Sequence, residues 1–136
     1  MSFVTDSIYT RLSGFAGLTA LISTRIYYGK VPQAPTYPLL VYNRISGARA
    51  ASLSGHAGLG MPRFQIDVYT TDTARAAKEI ADQVRYALDG YRQGTTTDQI
   101  AFGRVVDEQD SVDNTTGTLL HRCRLDVLID HAEASS

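Results

Sequence analysis

His121 and Cys123 stand two residues apart near the carboxyl end. On a strand, that spacing puts an imidazole and a thiol on one face, where both could touch one metal ion. A zinc site takes three or four ligands, commonly with a second pair at its own short spacing, and the sequence offers no second pair. Cys123 is the single cysteine, so neither an intrachain disulfide nor a cysteine cage can form. As a nucleophile it would need a nearby base and a lowered pKa. Arg122 and Arg124 flank it, but strand alternation sends them to the opposite face. The spacing therefore reads as a half-buried strand, with Cys123 a small buried residue.

Gly55-His-Ala-Gly-Leu-Gly60 invites comparison with phosphate-binding loops. Its spacing does not fit a dinucleotide fingerprint, no Gly-Lys-Ser/Thr ends it, and a strand pattern rather than a helix follows. The acidic run from Asp107 to Asp113 lacks the Asp-x-Asp-x-Asp-Gly ladder and closing glutamate of a calcium loop, so it reads as a solvated hairpin tip. Serine, histidine and aspartate occur, but no Gly-x-Ser-x-Gly elbow arranges them. No catalytic set, metal site or cofactor site emerges, and the expectation is that the chain is not an enzyme.

The elements that position these residues fit one domain over 1–136. The hydrophobic share of 43% is ordinary for a globular chain. No apolar run approaches the ~20 residues that cross a bilayer. The opening Met-Ser-Phe-Val-Thr-Asp lacks a signal-peptide pattern, which predicts synthesis and folding in the cytoplasm and no membrane partner. The net charge of −1 hides a division: residues 1–66 carry six basic groups against Asp6 alone, and residues 67–136 carry seven basic against thirteen acidic. Such asymmetry fits nucleic-acid contact, contact with a second copy of the chain, or chance interleaving in space. No basic cluster is dense enough to read as a nucleic-acid footprint. The eight tyrosines against four phenylalanines suit surfaces that are partly apolar and partly wet.

A helical pattern from about Phe3 to Leu12, with Phe3, Ile8, Leu12 and Phe15 near one face, breaks at Gly14 and Gly17. Leu18, Leu21 and Ile22 then form a second short stripe. Pro32, Pro35 and Pro38 make 31–38 an ordered connector on which Tyr37 packs. Leu39 to Ile45 reads as a strand apolar on both faces, and 46–61 as a long Gly/Ala/Ser-rich loop, mobile or functional. Arg63 to Tyr69 alternates, with Phe64, Ile66 and Val68 inward. The best helix follows, capped by Thr71 or Asp72 and stopped by Gly90. Its buried stripe is Ala77, Ile80, Ala81, Val84, Ala87 and Leu88, and Lys78/Asp82 and Arg85/Asp89 pair on its surface. Gln93 to Asp98 reads as a polar loop, Ile100 to Glu108 and Leu119 to Asp130 as two more strands, and 132–136 as a frayed tail.

Arg25-Ile-Tyr-Tyr-Gly-Lys-Val-Pro-Gln33, Pro38-Leu-Leu-Val-Tyr-Asn-Arg-Ile-Ser-Gly47, Pro62-Arg-Phe-Gln-Ile-Asp-Val-Tyr-Thr-Thr71 and the helix from Asp72 to Gly90 follow one another in an order and wording that resembles the tail-completion family of long-tailed phages. The resemblance covers nearly the whole chain, more loosely in its last strands, and carries over no catalytic residue. It implies an α+β fold in the order α-β-β-α-β-β, with helices flanking an antiparallel sheet of about four to five strands. It further implies a structural virion subunit that assembles as a ring of six-fold symmetry, terminates the tail tube and joins it to the head connector. Its partners would be other copies of itself, the tail tube protein and a head-completion protein, at the tail neck of the virion. DNA would pass through the ring without sequence-specific contact.

A closed ring needs one patch to complement a different patch on the next copy. The basic candidates for that contact are Arg44, Arg49, His56 and Arg63, and the acidic ones Asp67, Asp107, Glu108 and Asp110. A small-ligand-binding α+β domain with 46–61 as its lid is the alternative, though no convergent polar groups lie beside that segment. Nucleic-acid binding through Arg44, Arg49 and Arg63 lacks the interleaved aromatic and basic residues such surfaces use.

Overall fold

In a computed structural model the elements are α1 (Val4–Ser13), α2 (Ala16–Ile22), β1 (Ile26–Tyr28), β2 (Leu39–Ser52), β3 (Gly55–Thr70), α3 (Ala74–Leu88), β4 (Phe102–Asp113) and β5 (Leu120–Ala132). The structure describes residues 4–52, 55–90, 102–114 and 119–132. The polar-loop reading of Gln93 to Asp98 and most of the expected frayed tail lie outside the described residues.

Five strands form one sheet in the order β1-β2-β3-β5-β4. Three of its pairings are antiparallel, but β1 runs parallel to β2, so the sheet is mixed rather than purely antiparallel. The cause lies in the connector after β1. Its prolines remove donors and hold the backbone extended, and the chain returns to enter β2 level with the start of β1, Ile26 opposite Leu40. Leu40 N donates to Arg25 O at 3.0 Å, and Arg25 Nε donates to Pro38 O at 2.6 Å, fastening both ends of the connector.

The loop expected over 46–61 is replaced by strand. β2 continues to Ser52 and β3 begins at Gly55, with Ser46 opposite Arg63, Ala48 opposite Met61 and Ser52 opposite Gly55. Small side chains leave little to bury there, but ladder pairing uses backbone groups, which Gly, Ala and Ser supply as well as any residue. Two register shifts, between Arg44 and Ser46 and between Arg49 and Ala51, absorb extra residues in β2. The acidic run 107–113 is likewise strand, the second half of β4 paired with β5 from Asp107↔Asp126 to Asp113↔Leu120. Charges on an edge strand reach water without breaking the ladder, so polarity alone misleads there.

All three helices lie on one face of the sheet. Ile8 and Leu12 of α1, Leu18 and Ile22 of α2 and the α3 stripe join Leu40, Tyr42, Phe64, Ile66, Val68, Cys123, Leu125, Val127 and Ile129 in one core, with Phe15 packed against it. Each such fully buried apolar side chain is worth about 1.5–3 kcal/mol relative to exposure. The α3 stripe is buried at every expected position. Leu21, expected with Leu18 and Ile22, is instead exposed at the end of a two-turn helix. Thr73 rather than Thr71 or Asp72 caps α3: its extended backbone lets the hydroxyl accept from Ala76 N at 3.0 Å. Gly90 follows the helix in the left-handed region at φ 76°, as its type suggests.

Candidate functional site

The other face of the sheet carries no helix among the described residues, and polar side chains cross it in rows. Alternation sends Gln65, Asp67 and Tyr69 of β3 and Arg122, Arg124 and Asp126 of β5 to this side. Arg124 Nε donates to Asp67 Oδ1 at 3.0 Å, and Gln65 Nε2 donates to Asp67 Oδ2 at 3.1 Å. Arg63 holds Asp126 at 2.7 Å, and Arg122 Nε donates to Ser111 Oγ at 3.0 Å. Leu39 and Val41 are buried on the same side, opposite Tyr69 and Asp67 in register.

This grid changes the meaning of the charge division. Arg63 and Asp126 come from the basic and acidic halves, yet they pair within one chain. Asp67 is 4% exposed and bonded to Arg124, so its carboxylate is used inside the subunit and is not presented to a neighbour. Glu108 pairs with Lys78 of α3, which also lies 3.4 Å from Asp82. That contact pushes the Lys78 ammonium above its ordinary value, first through the hydrogen bond to Glu108, partly opposed by burial. Arg85 turns to Asp82 at 2.8 Å rather than to Asp89 as its spacing suggested. Asp89 instead accepts from Val105 N at 2.9 Å and ties the end of α3 to β4. Sequence spacing showed none of the contacts between elements, because those depend on strand register and on how α3 lies on the sheet.

Of the expected contact residues, Arg44 on β2 and Asp107 and Asp110 on β4 remain exposed, toward opposite edges of the sheet. The side chains of Arg49 and His56 lie outside the described residues. Gly55 to Gly60 is the opening of β3, which removes its resemblance to a phosphate loop.

Glu108, Asp110 and Cys123 bring their donor atoms within 4.8 Å of one another. Burial pushes the Cys123 thiol up to about 12, reinforced by its hydrogen bond to Asp110. A nucleophile would have to be a thiolate, whereas burial and the Asp110 contact favour the protonated thiol, and Glu108 is paired with Lys78. His121 and Cys123 share the helix-covered face, as the spacing requires, and Cys123 is fully buried. A cleft between the start of α3 and the β4–β5 end is lined by Ala74, Ala77, Asp110, Val112 and His121. Ser111 and Arg122 line it as well, and there Ser111 Oγ accepts from Arg122 Nε.

No helix among the described residues is long and apolar enough to cross a membrane. No curated protein matches the chain. Among solved structures, a chain from the virion of a native gene transfer agent particle superposes with a TM-score of 0.74 at 21% identity, covering 92% of this chain and 91% of that one. At that identity the likeness speaks for the fold. The family described as tail completion protein gp17 matches residues 6–130, nearly the whole chain. Matched over 6–130 and built on a five-stranded α+β sheet, the chain belongs to the tail completion protein gp17 family.

Proposed function

We propose that this protein is the ring subunit that ends a phage-type tail tube and joins it to the head connector. The family match over residues 6–130 carries the reading, and the likeness to a virion chain supports the fold it needs. Self-association with six-fold symmetry, docking on the tail tube protein and on a head-completion protein, and passage of DNA through the ring belong to this reading. Assembly takes place in the host cytoplasm and the finished ring sits at the tail neck. No step calls for a cofactor or a catalytic residue.

The subunit contact is made between basic and acidic positions left outside the intrachain ion pairs among the described residues. Arg44, with Arg49 beyond it on β2, supplies one sign, and Asp107 and Asp110 on β4 the other. Sizing by light scattering across a salt series tests this. A multimer that weakens with salt, and weakens further in Arg44→Glu/Arg49→Glu, fits the reading, because exposed pairs are screened beyond roughly 8–10 Å. Assembly indifferent to both would remove charge from the contact. A small-ligand role with 46–61 as a lid loses its support, since that segment is paired strand.

A further inference from the structure

The sheet ends in β1 on one side and β4 on the other. In β1, Arg25 O accepts from Leu40 N and Gly29 N donates to Tyr42 O at 3.1 Å, so Ile26 and Tyr28 turn their backbone groups away from β2. Ile26 N already donates to Thr24 O at 2.8 Å, which leaves Ile26 O, Tyr28 N and Tyr28 O open among the described residues. In β4, Gly103 O accepts from Gly90 N at 2.8 Å and Val105 N donates to Asp89 Oδ1, so these two positions face outward. The register shift between Val105 and Asp107 moves the outward set to Glu108, Asp110 and Val112. Glu108 N donates to Asp107 Oδ1 at 2.9 Å, and beyond it no such cap occurs along β4 among the described residues. Natural proteins blunt sheet edges against stray pairing, and on this edge the blunting stops at Glu108.

Register carried across the sheet shows how the two edges stand. Asp110 lies opposite Cys123, Cys123 opposite Val68, Val68 opposite Leu40 and Leu40 opposite Ile26. By the same path Gln109 is level with Tyr27 and Glu108 with Tyr28, whereas Asp107 is level with Asn43, past the end of β1. The uncapped part of β4 is thus level with β1, and the capped part is level with β2 where β1 has stopped. Three antiparallel pairings separate β4 from β2, and β1 runs parallel to β2, so β4 runs against β1. Copies related by rotation about an axis along the strands keep direction and level, so the β4 of one copy meets the β1 of the next antiparallel. The outward sets then coincide, Asp110 facing Ile26 and Glu108 facing Tyr28. Charge agrees as well: 25–30 holds Arg25 and Lys30 and no acid, whereas 107–113 holds four acids and no base.

We propose that, within the ring read above, subunits join edge to edge: Glu108–Asp110 of β4 pairs antiparallel with Ile26–Tyr28 of the next copy's β1. The occupant of each edge is a second copy of this chain. Tyr28 N donates to Glu108 O and Asp110 N to Ile26 O, which uses the two donors that the caps leave open at this level. Three residues is a short strand but within the ordinary range. Ile26 belongs to the core and Asp110 stands opposite Cys123 of that core, so the joined sheets keep their helices on one side. Tyr28, 53% exposed at the free edge, gains cover from the neighbour. Because β1 stops at Tyr28, no strand of the next copy faces β4 before Glu108, which accounts for caps on that half alone. Arg44 follows Asn43, which is level with Asp107, so the charged contact read above falls beside this ladder on one interface.

The experiment uses the full chain. Amide exchange on the wild type, assembled against dilute, needs no substitution and should show protection gained at the Tyr28 and Asp110 amides. Tyr27→Cys/Gln109→Cys, a non-hydrogen-bonded pair with Cα atoms about 4.5 Å apart in such a ladder, is oxidised after assembly, with each single variant as control. Cys123 is buried and held as a thiol, so it stays silent. Crosslinked multimers from the double variant only, with that protection, support the proposal. Asp110→Pro removes the ladder donor that Asp110→Ala keeps. It should raise the concentration for half-assembly at least about tenfold over Asp110→Ala, with similar melting temperatures for the two dilute variants. A ring that forms without crosslinks and without gained protection overturns edge pairing and leaves the ring reading standing. A wild type that stays monomeric at every concentration, alone and with tail tubes, overturns the ring reading and this proposal with it. Crosslinks within either single variant would show like-to-like contact and overturn the head-to-tail geometry.

Discussion

Asp67 of β3 and Arg124 of β5 face each other across adjacent strands on the helix-free side of the sheet, 3.0 Å apart, with the carboxylate side chain 6% exposed and the guanidinium 31%. The unequal burial makes the pair asymmetric. Losing the arginine strands a buried charge, whereas losing the carboxylate leaves a cation that water can reach. Arg124→Met should therefore cost about 3–5 kcal/mol and Asp67→Asn only about 1–2 kcal/mol. Equal midpoints in denaturant for the two variants would show that Asp67 reaches solvent.

Val84 of α3 is fully buried in the core shared with Phe64, Ile66 and Val68. Val84→Asp places a carboxylate there without a partner and should abolish soluble folding. Lys78, earlier on the same helix, bridges α3 to Glu108 of β4 with its side chain 42% exposed, so the pair is screened. A double-mutant cycle on Lys78→Ala and Glu108→Gln should give a coupling of about 0.2–1 kcal/mol. Coupling several times larger would mean that the pair is shielded from water.

Gly103 and Gly17 look alike in sequence and differ in what a side chain would meet. A Cβ at Gly103 would collide with Leu88 O, a backbone atom at the end of α3, whereas one at Gly17 would meet the flexible end of the Gln83 side chain. Gly103→Ala should destabilise by about 1–3 kcal/mol, and Gly17→Ala, inside α2, should be neutral or slightly stabilising. Thermal melts of the two variants decide it. A harmless Gly103→Ala would mean that α3 and β4 are further apart than described.

Cys123 makes stability fall in alkali. Its thiol ionises near 9.0 in the unfolded chain and is held up to about 12 when folded. Between those values the unfolded state binds fewer protons, so stability is complete below about pH 9 and declines as pH rises through that window. Cys123→Ala should lower stability at neutral pH through the small cavity it leaves, and should flatten the alkaline slope. Denaturant midpoints of wild type and variant at several pH values measure it. An unchanged slope would assign alkaline loss to other groups.

The sequence was most legible where one period governs both local structure and burial. The α3 stripe from Ala77 to Leu88 and the alternation of Phe64, Ile66 and Val68 come from such patterns, and both faces of Leu39 to Tyr42 are buried as their apolar run suggests. It was least legible where backbone pairing proceeds without apolar side chains. Both the Gly/Ala/Ser continuation of β2 and β3 and the acidic half of β4 belong to that class. The parallel placement of β1 depends on where a proline connector returns the chain, which no local pattern encodes. Among the expected contact residues, Arg63, Asp67 and Glu108 find partners inside the chain, since ion pairing follows register and register is a property of the folded sheet.

The central claim is that this family member works as a closed ring at the end of a tail tube. Native mass spectrometry of the purified full chain, read beside negative-stain images of the same chain mixed with tail tubes, tests it directly. The account predicts one closed species of six-fold symmetry with a central opening, seated at a tube end and halting its growth. A monomer at every concentration that leaves tube ends bare and growing would contradict it.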